Sequence, residues 1–134
     1  MALCQGALLR VQAVTTSAGV DSGIVRTLRF GYFPAPVADR LPDVLRRVKW
    51  AEANGLDLIG IQDHPYQRRF ADTFALMAHL AAVTQRITLF PDVANLPLRG
   101  PAMIAKQSAT IDLLSGGRFE LGLGAGGFWD AIAA

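Results

Sequence analysis

The segment Ile59-Gly60-Ile61-Gln62-Asp63-His64-Pro65 is an apolar run that stops on a carboxylate beside an imidazole, closed by a proline. A buried strand ending this way delivers a charge and a titratable ring to one point. In a parallel α/β protein that point is where ligands bind. His64 is the acid–base candidate, because an imidazole titrates near neutral pH. Asp63 can orient a ring, hold a positive charge or bind the amide edge of a cofactor. The plainer alternative is that Asp63 caps the following turn and His64 is structural. Two further apolar runs leave through Asp92-Val93-Ala94-Asn95 and through Gly124-Ala125-Gly126-Gly127. The second tract has no bulk, so another molecule can approach its backbone closely.

Gly122, Gly124 and Gly127 also match the G-x-G-x-x-G spacing of dinucleotide-binding folds, which keeps an NAD(P)-binding dehydrogenase open as an alternative. That fingerprint belongs after the first strand of its domain, whereas this one follows three strand–helix units. Metal chemistry is disfavoured. The two histidines fall on different elements, no H-x-x-x-H or H-x-H pair exists, and there is one cysteine. His79, among Met77, Ala78 and Leu80, reads as a helix-surface or packing residue. No G-x-S-x-G elbow is present.

The elements that must position these residues repeat. Strands are predicted over Leu28 to Phe33, Leu58 to Gln62, Ile87 to Phe90 and Arg118 to Leu123. Helices are predicted over Arg40 to Asn54, from Asp72 or Thr73 to Thr84, from Pro101 to Ser115, and from Phe128 onward. In the first helix Leu41, Val44, Leu45, Val48 and Ala51 share one face at helical spacing. Strands begin about every 30 residues, the length of a βα unit. Unbroken apolar strands alternating with helices imply a parallel sheet covered by helices. Eight such units close a (β/α)8 barrel of about 250 residues, so about four units make half of one. The fold expected is α/β: the N-terminal half of a TIM (β/α)8 barrel, truncated, over residues 28–134. Residues 1–27 read as a flexible leader.

Composition supports a soluble globular domain, with 51% hydrophobic and 18% charged residues. Net charge is +2 and the basic residues are scattered, which argues against a nucleic-acid partner. Arg46, Arg47 and Lys49 read as a solvated helix face. No apolar run approaches the roughly 20 residues of a membrane span. Met1 to Leu9 lacks the basic residues of a signal peptide. With a single cysteine, a cytoplasmic location is the expectation.

Three segments together resemble the luciferase-like monooxygenase family of flavin- or F420-dependent oxidoreductases. They are Ala51-Glu52-Ala53-Asn54-Gly55-Leu56-Asp57 leading into Gln62-Asp63-His64-Pro65; Asn95-Leu96-Pro97-Leu98-Arg99-Gly100-Pro101 followed by Ala105-Lys106-Gln107; and Ile111-Asp112-Leu113-Leu114-Ser115-Gly116-Gly117-Arg118 running into the glycine tract. The resemblance implies a barrel binding FMN or F420 at its C-terminal mouth and acting by hydride transfer or oxygen activation on a small organic substrate. Asp63 and His64 would then be the active-site pair. Asp92, Val93, Ala94 and Asn95 would bulge against one face of the flavin, and Gly124, Ala125 and Gly126 would line its edge. Gly127 stands where some deazaflavin dehydrogenases carry a glutamate, which argues against a sugar-phosphate dehydrogenase. Barrel enzymes commonly hold phosphate with the loops after strands 7 and 8. Residues 1–134 alone are therefore expected to bind flavin poorly or not at all. The open edges of the first and fourth strands predict self-association as a homo-oligomer, and a non-catalytic, self-associating half-barrel is the second alternative.

Overall fold

The computed structural model describes residues 28–133. The expected leader, residues 1–27, lies outside the described residues. The elements are β1 (Gly31–Tyr32), α1 (Leu41–Ala53), β2 (Leu58–Ile61), α2 (Thr73–Val83), β3 (Thr88–Pro91), β4 (Ala94–Asn95), α3 (Pro101–Ser115), β5 (Leu123–Gly124) and α4 (Trp129–Ala133). One-turn 3-10 segments precede α1 (Ala38–Arg40) and α3 (Leu96–Leu98).

Each helix follows from local signals. α1 buries Val44, Val48 and Ala51 along one stripe. Its Arg46, Arg47 and Lys49 are exposed, and Arg46 and Arg47 both pair with Asp43. Asp72 caps α2, its Oδ1 accepting the Ala75 amide at 2.9 Å. His79 is exposed on the same helix. α3 stops because Gly116 (φ 69°) and Gly117 (φ 84°) turn the chain through left-handed conformations that a side chain disfavours.

β1, β2 and β3 form one parallel sheet, with Gly31 opposite Leu58 and Ile59 opposite Leu89. Leu89 in turn bridges in parallel to Phe119, and β4 pairs in parallel with β5. Neighbours in space are therefore neighbours in sequence, as in a barrel sector. A doubly wound nucleotide-binding sheet reverses its strand order at the ligand site, and among the described residues this sheet has no reversal. The glycines have another explanation. A Cβ at Gly122 would lie 2.5 Å from the Pro91 carbonyl oxygen, and one at Gly124 would collide with the Val93 side chain. Gly122 and Gly124 let one strand approach its neighbour, which accounts for their spacing without an NAD(P) loop.

The fourth strand is less continuous than expected. Glu120 N–H donates to the Leu89 carbonyl, and the next ladder bond runs from Ala94 N–H to the Gly122 carbonyl, at 2.9 and 2.8 Å. Five residue steps on one side thus face two on the other. The surplus forms a bulge at Pro91-Asp92-Val93, where the Asp92–Val93 peptide is cis. The expected exit Asp92–Asn95 is therefore a bulge followed by a short strand, β4, that resumes parallel pairing in the same direction.

One face of the sheet packs on the helices. Val48, Ile59, Ile61, Met77, Leu80 and Leu89 are fully buried there. Gly31, Leu58, Gly60 and Phe90 line a small cavity of about 20 Å³ together with Tyr32, Phe33 and Asp92. Two polar clamps lock the units together. Glu52 Oε1 accepts the amides of Gln85, Arg86 and Ile87 at 2.7–2.9 Å. Burial alone would raise the Glu52 carboxyl, but these amides and the Arg118 charge outweigh it and hold it below its ordinary range. Arg118 donates to the carbonyls of Ala81, Thr84, Ile87 and Ser115 and to Thr84 Oγ1, at 2.8–3.1 Å. The Ser115-Gly116-Gly117-Arg118 motif thus builds the scaffold, satisfying carbonyls that the end of α2 leaves open.

Candidate active site

The bulge, the β2 exit and the glycine tract converge. Asp63, His64, Asp92, Val93, Ala94, Asn95, Gly124, Ala125 and Gly126 all line one cleft of about 290 Å³, which Tyr66, Gly127 and Phe128 complete. The nine residues singled out by the sequence are therefore neighbours in space. They come from three successive strand exits, as expected for the C-terminal end of a parallel sheet.

Asp63 is held rather than free. Its side chain is 1% exposed. Oδ2 accepts the Asn95 amide at 2.9 Å and Arg99 Nε at 2.8 Å, and Oδ1 accepts Arg99 Nη2 at 2.7 Å. Of the roles open to this carboxylate, holding a positive charge is the one the geometry realises. The guanidinium makes a two-pronged contact suited to its planar fork. Arg99 also reaches Asp72 Oδ2 at 2.6 Å and lies 4.8 Å over the Phe74 ring. Its hydrogen bond to Asp63 raises the Arg99 pKa further above its ordinary value. Burial would raise the Asp72 carboxyl, but the Ala75 amide and Arg99 outweigh that and lower it. Asp63, Arg99 and Asp72 tie the β2 exit, the segment before α3 and the start of α2 into one rigid corner.

His64 is half-buried beside it. Its Nδ1 lies 2.6 Å from the Tyr66 hydroxyl. The Phe128 ring sits 5.8 Å away edge-on, and the Phe70 ring 6.2 Å away. Burial and the Asp63 charge both raise the Tyr66 pKa, so the phenol keeps its proton. On the opposite wall, Val93 is 42% exposed while Ala94 and Asn95 are buried. The wall beside it is bare backbone. Gly126 adopts φ 87°, and a Cβ there would meet Ile132 Cδ1 at 3.0 Å and Pro97 Cγ at 3.1 Å.

A flat ring needs a slot with slim, apolar walls and polar groups at its rim. Val93, Ala94 and the glycine backbone supply the walls, and His64, Asp92 and Asn95 supply the rim. Such a ring fits. A phosphate does not, because none of the twelve residues lining the cleft is lysine or arginine. Among the described residues no group of three His, Cys, Asp or Glu is placed to hold a metal, and no described helix is long and apolar enough to cross a membrane.

Sequence reasoning passed over Arg99, Tyr66 and Phe128. Arg99 sits in an irregular stretch where no periodicity marks it, and its partner lies 36 residues away. Tyr66 had a visible signal: an aromatic hydroxyl two residues after a histidine, across a proline turn.

The model of the luciferase-like monooxygenase family matches residues 13–134. Pyrimidine monooxygenase RutA of Escherichia coli is 52% identical over 52 residues, covering 39% of this chain and 15% of that enzyme. The coenzyme F420-dependent tetrahydromethanopterin reductase of Methanopyrus kandleri superposes with a TM-score of 0.68 at 30% identity, over 76% of this chain and 29% of that one. The oxygenating constituent of 3,6-diketocamphane monooxygenase from Pseudomonas putida, solved in complex with FMN, gives 0.65 at 27% identity, over 72% and 27%. The chain thus spans less than a third of the length of each of these proteins. Its parallel sheet in chain order, its bulge facing a glycine-lined cleft and the match across nearly its whole length agree: the chain belongs to the luciferase-like monooxygenase family.

Proposed function

We propose that this chain carries the ring-binding and proton-handling part of a flavin- or F420-dependent oxidoreductase acting on a small organic substrate. The observation that carries the reading is the convergence of His64, the Asp92–Asn95 bulge and the Gly124–Gly126 backbone on one cleft. FMN or F420, when bound, supplies hydride transfer or oxygen activation. Val93 and Ala94 support one face of the ring, the Gly124–Gly126 backbone lines its edge, and Asn95 and Asp92 face its polar rim. His64 holds or moves a proton next to the reacting atoms. Asp63 acts through Arg99 and the Asn95 amide, fixing the bulge against the β2 exit.

Titrating the chain with riboflavin, FMN and F420 while following backbone amide shifts tests this. Shifts should concentrate at residues 92–95 and 124–127, and affinity should be weak. FMN should bind no more tightly than riboflavin, since no cation lines the cleft. Absence of shifts at those residues with all three compounds would defeat the reading. In the cofactor-loaded protein, His64→Ala should lower turnover about 10²–10⁴-fold, the usual worth of a positioned acid or base, with little loss of ring affinity. Equal losses in both would make His64 a binding residue only.

Self-association is favoured by one observation. Leu113, Leu114 and Met103 on α3 are 83%, 63% and 59% exposed, apolar side chains that a partner could cover. Sedimentation showing a monomer at tens of micromolar would remove this second reading.

A further inference from the structure

The proton-handling residue has a partner that fixes how it can act. Two arrangements fit a contact of 2.6 Å between His64 Nδ1 and the Tyr66 hydroxyl. In the first, the phenol donates and Nδ1 accepts. In the second, Nδ1–H donates to the phenol oxygen, and the phenolic proton must find another acceptor. An imidazole nitrogen lone pair accepts more strongly than a phenol oxygen, and a phenol O–H is a strong donor. Among the described residues the Tyr66 hydroxyl makes no other hydrogen bond. The first arrangement leaves no proton stranded.

The surroundings hold the pair in place. Pro65 separates the two residues in a tight turn, which the Gln67 amide closes on the His64 carbonyl at 2.9 Å. The His64 and Tyr66 rings sit 5.4 Å apart, and Phe128 packs edge-on to both, at 5.8 and 6.4 Å. Both side chains line the main cleft and also a neighbouring one of about 210 Å³ bounded by Gln62, Gln67, Phe70, Phe128 and Ala131. The pair, together with Phe128, borders both clefts.

We infer that Tyr66 is a positioning residue that donates its phenolic hydrogen to His64 Nδ1 and locks the neutral ring as the Nε2–H tautomer. His64 then faces its ligand as a hydrogen-bond donor and not as a lone-pair acceptor. A ligand read by this ring carries an acceptor atom, such as a carbonyl, hydroxyl or ring-nitrogen lone pair. This inference rests on the proposed role of His64 for its functional meaning but not for its test.

The test is ¹⁵N–¹H correlation of the imidazole rings in the full chain, labelled at histidine and held above the histidine titration range. His64→Gln identifies the His64 signals against those of His79. The expected wild-type ring is a single Nε2–H form with Nδ1 shifted by an accepted hydrogen bond. Tyr66→Phe keeps the ring packing and removes only the donor. It should return Nδ1 to its unbonded position and restore the mixture of tautomers seen for free histidine, while circular dichroism confirms that the variant is folded. An Nδ1–H form in the wild type, or an Nδ1 signal that Tyr66→Phe leaves in place, would overturn the inference. No cofactor is present in this measurement. A locked Nε2–H ring in a chain that fails to bind any flavin would sink the proposed function and leave the Tyr66 assignment standing.

Discussion

Replacing Arg99 by methionine removes the only side chain, among the described residues, that pairs with a carboxylate that is 1% exposed. Asp63 would keep a single hydrogen bond, from the Asn95 amide, and lose both guanidinium contacts, at 2.8 and 2.7 Å. Stripping one partner from a buried ion pair costs about 3–5 kcal/mol, mostly the penalty of an uncompensated buried charge. The lost contact with Asp72 adds little, because that carboxylate is 47% exposed and such pairs contribute about 0–1 kcal/mol. The retained amide bond places the loss near the lower end, about 3 kcal/mol. Against a typical domain stability of about 5–15 kcal/mol, that is a large fraction. With a urea slope of about 1–3 kcal/mol per molar, the midpoint should fall by about 1–3 M. The double variant Arg99→Met/Asp63→Asn removes the stranded charge, so it should recover part of the loss and the two substitutions should be non-additive. A loss below about 1 kcal/mol for Arg99→Met, or strict additivity in the double variant, would refute the idea that Asp63 depends on Arg99 for its charge.

Three other perturbations probe the scaffold. Gly124→Ala places a Cβ against Val93 and should cost about 1–3 kcal/mol by overpacking, read by thermal melting, with loss of the ring-induced shifts at residues 92–95. Arg118→Met frees carbonyls at the end of α2 and should cost about 1–3 kcal/mol for each acceptor left buried and unmatched, with hydrogen exchange rising first around residues 81–88. Glu52 and Asp72 have carboxyls held below their ordinary values in the folded chain. A lowered folded pKa means the unfolded chain binds the proton more readily. Their stabilisation is therefore present above the ordinary carboxylate pKa and is lost as pH falls through the lowered folded value. Urea midpoints should drop from pH 6 towards pH 3, and Glu52→Gln should be less stable at pH 6 and show a shallower drop. A drop of equal depth in Glu52→Gln would show that the Glu52 clamp does not titrate with folding.

What could be seen in the sequence was what depends on neighbours along the chain. The α1 stripe, the Asp72 cap, the Gly116 stop and the first three strand starts each need only a few adjacent residues, and the structure shows them within three positions of the expected ones, whereas the fourth strand is reduced to a bridge at Phe119 and the short β5. What stayed hidden depends on pairing across the chain. The third strand reads as ending at Phe90 because Pro91 cannot donate to a ladder. The chain nevertheless resumes pairing at Ala94, because the Ala94 amide finds the Gly122 carbonyl on a neighbour almost 30 residues away. The glycine tract was visible, but its first cause was not. Gly122 and Gly124 are small because Pro91 and Val93 occupy the space their side chains would need, and only at Gly126 does the backbone take up a left-handed turn. The same holds for charge. Asp63 beside His64 looked like a pair acting together, since adjacency is all a sequence shows. A strand exit points successive side chains to opposite sides, so Asp63 turns inward to Arg99 while His64 turns to Tyr66. The two residues line the same cleft but hydrogen-bond to different partners, Asp63 to Arg99 and His64 to the tyrosine beyond the proline.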